Sequence, residues 1–160
     1  MNIEIKPITP NQDQTVADII AKVGTEFGAI GEGFGPSDPE VSQMSRYYSL
    51  ENKSQYYVAT LNGQIVGCGG IAKFNDSEQT CELRKLFLLP ESRGFGIGRK
   101  LTKVCLDFAQ SQGYEQCYLD TLASMKAAIS LYESMGFTHL DKPLTGTIHG
   151  GCDIWMLKRF

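Results

Sequence analysis

The sequence contains no apolar stretch approaching the ~20 residues needed to cross a bilayer, which excludes a membrane-spanning helix. It contains no run of lysines or arginines, and its 15 basic side chains are outnumbered by 18 acidic ones. That balance argues against nucleic acid as a partner, because phosphate backbones are held by a concentrated basic face. Residues 1–10 mix Glu4 and Lys6 into a short apolar alternation and lack the basic, apolar, small-residue order of a secretory signal, so a cytoplasmic protein is expected. The five cysteines (Cys68, Cys81, Cys105, Cys117 and Cys152) are odd in number, scattered, and never spaced C-x-x-C. They signal neither a disulfide framework nor a zinc site, and most are expected to be reduced and buried. His149 and Cys152 are spaced H-x-x-C, but without a second ligand pair no metal is expected. Repeats, linkers and low-complexity tracts are absent as well.

What is present reads as one domain spanning residues 1–160, long enough to hide roughly 70% of its unfolded surface in one core. Ile3, Ile5 and Ile8 sit among polar residues and predict a strand over 2–8. Thr9 and Gln12 have the capping-box spacing and Pro10 takes the first helical position, ahead of an apolar face of Val16, Ile19, Ile20 and Val23. Residues 24–37 carry five glycines and two phenylalanines and read as an irregular loop or a lid over a ligand. Asp38-Pro39 starts a second short helix with Val41, Met44 and Tyr48 on one side. Strands over 55–61 and 64–74 are joined by Asn62-Gly63, a tight hairpin signal, and a third over 80–89 completes an antiparallel meander.

After Pro90 the period changes. Ile97, Leu101, Val104, Cys105, Phe108 and Ala109 recur on one helical face, and Gly113 stands where a C-terminal cap belongs. Residues 117–120 read as a buried strand, 124–135 as a helix ended by Gly136, and 152–158 as a last strand carrying Trp155, with His139 in or beside a strand. This order predicts a mixed α/β (α+β) sandwich around one sheet.

The segment from Leu86 to Arg99 passes from a strand through a glycine-rich turn into the strongest helix. Glycines at 94, 96 and 98 let backbone approach a ligand, and the first N–H groups of a helix lack internal partners. With the helix dipole and Arg93 or Arg99 they form a phosphate cradle. A Walker-type loop needs Gly-Lys-Ser/Thr, whereas Gly98 is followed by Arg99, Lys100 and Leu101. A dinucleotide fingerprint starting at Gly94 needs its third glycine at Arg99, and a meander is not the opening of a parallel nucleotide-binding unit. A plain helix cap explains one glycine, not three flanked by two arginines.

Arg93-Gly94-Phe95-Gly96-Ile97-Gly98 resembles the acyl-CoA signature Gln/Arg-x-x-Gly-x-Gly/Ala of the GNAT superfamily of N-acetyltransferases. The resemblance extends to Cys81-Glu82-Leu83-Arg84-Lys85-Leu86-Phe87-Leu88, similar to the family's fourth strand, and to Leu131-Tyr132-Glu133-Ser134-Met135-Gly136-Phe137, similar to its late L-Y-E-x-x-G-F motif. It implies a mostly antiparallel central sheet flanked by helices, with fourth and fifth strands (80–89 and 116–120) splayed apart to admit a thioester. It implies acetyl-CoA as co-substrate, its pyrophosphate on the backbone of Arg93, Gly94, Phe95, Gly96, Ile97, Gly98 and Arg99, and its pantetheine arm along the main chain at Leu86 and Leu88. The reaction implied is acetyl transfer to a primary amine of a small molecule or peptide, by direct attack in a ternary complex. A non-catalytic acyl-CoA sensor, or a transferase of another acyl chain, is the alternative.

Acetylating an amine poses two proton problems. An amine of pKa near 10.4 is mostly protonated at pH 7, and freeing its lone pair costs roughly 4–5 kcal/mol, so a base is useful. The departing thiolate benefits from a hydrogen-bond donor. Glu82 is the candidate base, on strand alternation placed with Arg84, Leu86 and Leu88 and opposite Leu83 and Phe87; it reads equally as a strand carboxylate paired with Arg84 or a lysine. Tyr132, by the resemblance to the tyrosine that hydrogen-bonds the CoA sulfur, is the candidate acid, while periodicity alone makes it a core tyrosine. Many family members carry an asparagine seven residues before that tyrosine, where this chain has Met125 preceded by Ser124, itself readable as a helix N-cap. The acceptor is expected to meet residues 24–48, the meander turns and residues 142–153. A monomer and a homodimer both remain open.

Overall fold

The computed structural model describes residues 1–29, 31–148 and 150–160. The first isoleucines form β1 (Ile3–Pro7), and the Thr9 N–H donates to Gln12 Oε1 at 3.0 Å, the backward half of the expected capping box. A single 3-10 turn then leads into α1 (Asp13–Glu26), whose Val16, Ile20 and Val23 are essentially fully buried. The expected second helix is a 3-10 turn over Pro39–Gln43 followed by one turn of α2 (Met44–Tyr47). The meander is β2 (Gln55–Leu61), β3 (Gln64–Lys73) and β4 (Thr80–Leu88). Asn62 and Gly63 have φ of 52° and 84°, the double left-handed geometry of the tightest hairpin turns. Then come α3 (Ile97–Ser111), β5 (Gln116–Thr121), α4 (Lys126–Ser134), β6 (Thr138–Leu140) and β7 (Ile154–Arg159).

The seven strands make one sheet in the order β1-β2-β3-β4-β5-β7-β6, antiparallel at every step except β4 with β5. Side-chain alternation distributes the core to both faces. Tyr56, Val58 and Cys68 pack under α1 and α2, while Ile71, Cys81 and Leu83 pack under α3 and α4. Close approach between neighbouring strands is enforced by glycine at one central place. A Cβ on Gly70 would lie 2.6 Å from the Gln55 carbonyl oxygen in β2, a backbone atom that has no room to move. Gly70→Ala is therefore expected to destabilise the fold by about 1–3 kcal/mol, read as a lower urea midpoint at unchanged m-value.

One irregularity decides the face that each β4 side chain occupies. Leu88 and Phe87 pair with Gly67 and Cys68, but Arg84 pairs with Gly70, so β4 holds one residue more than β3 across this stretch. The extra residue is accommodated at Lys85, whose φ of 50° is left-handed. Alternation therefore flips. Glu82 lies with Arg84 on the α1 face as expected, but Leu86 packs with Leu83 under α3 and α4, and Phe87 packs with α1. The expectation that Glu82 shares a face with Leu86 and Leu88, opposite Phe87, is corrected by this bulge.

Candidate active site

The parallel strands β4 and β5 are paired only at Thr80, Cys81 and Glu82, opposite Gln116, Cys117 and Tyr118. Beyond that rung β4 continues to Leu88 and β5 to Thr121 without pairing to each other. The strands thus splay, and the facing backbone groups of β4 are left for another partner. A cleft of about 70 Å³ opens in the fork, lined among others by Glu82, Arg84, Lys85, Asp120, Tyr132 and Cys152. Gly35 and Pro36, from the glycine-rich segment, form its outer wall.

Glu82 is buried on the last paired rung, its Oε1 2.7 Å from Arg84 Nε. Arg84 is shared: its Nη1 is 3.7 Å from Glu40 Oε1. Burial pulls the Arg84 guanidinium down, but the carboxylates of Glu82 and Glu40 outweigh it and hold the group above its ordinary value. The other oxygen of Glu40 accepts from Tyr48 Oη at 2.6 Å and lies 3.1 Å from Lys85 Nζ, which also meets Asp38 Oδ2 at 2.8 Å. Across the fork, Asp120 Oδ2 accepts from Thr147 Oγ1 at 2.6 Å.

Tyr132, from α4, is 5% exposed and tilted against Phe137. Burial, then the neighbouring Cys105 and Cys117, pushes its phenol above the ordinary value, so it is a neutral donor at physiological pH. Its hydroxyl makes no hydrogen bond within the described residues. Glu82 is thus an ion-paired carboxylate that also lines the cleft. Tyr132 likewise belongs to the core and reaches the cleft at once.

A second cleft, of about 430 Å³, adjoins the first at Leu86, Phe87 and Met125, and carries the glycine loop on its far wall. Gly94 and Gly96 have φ of 87° and 79°, and a Cβ at either would meet nothing within 4 Å. These two glycines serve backbone conformation. Gly98 differs: its Cβ would lie 3.3 Å from Leu88 and 3.4 Å from Leu131, so it seats α3 between β4 and α4. No side chain caps α3, which leaves the amides of Ile97, Gly98 and Arg99 facing the cleft. Uncapped amides and the positive helix end fit a diphosphate. Phe95 is largely exposed at the loop tip.

The arginine side chains are committed elsewhere. Arg93 forms a two-pronged ion pair with Glu26 at the end of α1 (2.7 and 2.8 Å), donates to the Leu88 carbonyl at 2.9 Å, and stacks on Phe27. Arg99 donates to Ser134 Oγ at 2.7 Å. The Leu88 carbonyl assigned to pantetheine is thus taken by Arg93. Ser124 is not the N-cap of α4, a position held by Met125; its hydroxyl donates to the Phe27 carbonyl at 3.0 Å, tying the end of α1 to the start of α4 beside the larger cleft. Sequence reasoning missed Lys85, Asp120 and the pairings Glu40–Lys85 and Glu26–Arg93, whose partners are far apart in the chain. His149 lies outside the described residues; among those described, no three His, Cys, Asp or Glu side chains could hold a metal ion.

A family model described as the acetyltransferase (GNAT) family matches residues 27–137, which include all three motifs and most of the residues lining the two clefts. The chain belongs to the GNAT family of acetyltransferases. The relatives of this GNAT acetyltransferase include the Escherichia coli K12 protein named uncharacterized N-acetyltransferase YjgM, 36% identical over 96% of this chain and 93% of that one. N-acetylaspartate synthetase of Xenopus tropicalis is 36% identical over 63% of this chain but only 37% of its own length. The fold recurs in yncA of Salmonella typhimurium, solved with acetyl-CoA: TM-score 0.79, 20% identity, covering 99% of this chain and 94% of that one. It recurs again in the PaiA N-acetyltransferase of Thermoplasma acidophilum solved with coenzyme A, at TM-score 0.75, 19% identity and full coverage of both chains. No helix among the described residues is long and apolar enough to cross a membrane.

Proposed function

We propose that this GNAT acetyltransferase moves an acetyl group from acetyl-CoA to a primary amine by direct attack, with both substrates bound together. The observation carrying this reading is the convergence of Glu82 and Tyr132 on one cleft at the fork, adjoining the cleft that holds the glycine loop. In this reading the amides of residues 97–99 hold the diphosphate, backbone at Leu86 guides the pantetheine, and the thioester carbonyl enters the fork. Glu82 takes the ammonium proton, directly or through a water, and the free amine attacks the carbonyl. The C–N bond forms and the C–S bond breaks, the second proton of the attacking nitrogen passes through water to the departing thiolate, and that sulfur accepts a hydrogen bond from Tyr132 as it leaves. A phenol held above its usual pKa is a weaker acid than an alkyl thiol and does not surrender its proton to the thiolate, so Tyr132 stabilises the leaving group as a hydrogen-bond donor.

A cysteine nucleophile finds no support. Cys81 and Cys117 are fully buried in the core under α3 and α4, where burial pushes Cys117 well up. Cys152 lines the acceptor cleft, but burial and then Asp120 raise its thiol to about 12, which keeps it protonated.

The reading is tested by CoA release over a panel of amino acids, polyamines, aminoglycoside antibiotics and peptide N-termini. Turnover of at least one primary amine is expected; acetyl-CoA binding without turnover across the panel would favour a sensor. On the best acceptor, Tyr132→Phe is expected to lower kcat by about 10–100-fold at nearly unchanged acetyl-CoA affinity, the loss of one hydrogen bond made chiefly in the transition state. Steady-state kinetics with cofactor titration checks this.

A further inference from the structure

We propose that Lys85 is a positioning residue for the acceptor: its ammonium clamps the segment carrying Asp38 and Glu40 over the acceptor cleft, and so sets acceptor capture separately from cofactor binding. The proposal rests on the acceptor reading of the smaller cleft.

Lys85 is the bulge residue of β4, and its left-handed backbone takes a conformation that lysine rarely adopts. The bulge is held from below, where Tyr56 Oη donates to the Lys85 carbonyl at 2.6 Å. The side chain is only 2% exposed. Burying an ammonium is costly unless it is closely paired, and here two carboxylates meet it at 2.8 and 3.1 Å. Both come from one short span, residues 38–40. That span joins the 3-10 turns Gly35–Ser37 and Pro39–Gln43, with 3-10 bonds from Asp38 N–H to the Gly35 carbonyl and from Val41 N–H to the Asp38 carbonyl, and Tyr48 Oη donates to Glu40. Gly35 and Pro36 at its start wall the acceptor cleft, and Lys85 lines that cleft but not the cofactor cleft. Glu40 also touches Arg84, the partner of Glu82, so the same clamp brings the segment up to the candidate base.

The experiment compares wild type, Lys85→Met, Asp38→Asn/Glu40→Gln and the triple variant, which removes the ammonium together with the two carboxylates that meet it. Two readouts are used. Hydrogen exchange by mass spectrometry needs no acceptor: Lys85→Met is expected to speed exchange over residues 35–43 by at least tenfold while α3 is unchanged. With the best acceptor of the panel, acceptor KM is expected to rise on the order of tenfold at nearly constant kcat, with acetyl-CoA affinity unaltered. The triple variant is expected to recover thermal stability but not acceptor KM. Unchanged exchange over residues 35–43, an unchanged acceptor KM, or KM restored together with stability in the triple variant would each overturn the clamp. Should no amine be turned over, the acceptor reading itself fails, and the exchange result still reports separately whether Lys85 holds the segment.

Discussion

Glu82→Gln is expected to lower kcat by about 10²–10³-fold at pH 7 and to abolish the acidic limb of the pH–rate profile. The amide keeps the size of the carboxylate and an oxygen able to accept from Arg84 Nε, which lies 2.7 Å away. It cannot take a proton from the acceptor ammonium. An amine of pKa near 10.4 then offers only about one molecule in 10³ as free base at pH 7, which sets the scale of the loss. Because the residue is also half of a buried ion pair, the variant will be less stable, and removal of one partner from such pairs costs about 3–5 kcal/mol in the worst case. Glu40 limits that cost by remaining beside Arg84. The two roles separate cleanly. A base is revealed by a missing acidic limb and recovery of rate at high pH, measured well below the melting temperature. If kcat and the acidic limb both persist while only Tm falls, Glu82 is an ion-pair residue and the base lies elsewhere.

Gly96→Asp is expected to weaken acetyl-CoA binding by about 100-fold or more, with Gly96→Asn as the control. Gly96 precedes α3 at φ 79°, and a Cβ there points into open space. Asp and Asn are the side chains that tolerate the left-handed region best, so both variants should keep the fold. They differ in charge alone. A carboxylate about 5 Å from a bound phosphate, at an effective dielectric constant near 20, repels it by roughly 3 kcal/mol, which corresponds to about two orders of magnitude in affinity. Isothermal titration with acetyl-CoA reads both variants. Equal affinities for the Asp and Asn proteins would mean that the diphosphate does not sit on the amides at the start of α3.

Local rules made much of the architecture legible. Asn62-Gly63 specifies its hairpin because positive φ at two adjacent positions suits few other pairs. The apolar period after Ile97 specifies α3, whose buried face includes Leu101, Cys105 and Ala109, and Gly113 ends it at φ 85°. In both cases the determining contacts lie within a few residues, so pattern suffices. The glycine loop is legible for the same reason, although Gly98 serves packing rather than ligand access.

The charges around the site follow no local rule. Arg93 reads as a phosphate ligand beside three glycines, yet its guanidinium goes to Glu26, 67 positions earlier. Ser124 reads as a cap, yet it bonds Phe27, 97 positions away. A polar side chain takes the partner that tertiary packing brings within reach, and sequence spacing does not encode that distance.

The amino-acid sequence by itself determined the order of strands and helices, the glycine turn and the motifs marking a GNAT acetyltransferase, because hydrophobic period and backbone freedom act over one or two turns of chain. Only the tertiary structure decided which side chains share the fork. The bulge at Lys85 reverses the faces of β4 after Arg84, and a one-residue change of register sends every later side chain to the opposite side of the sheet.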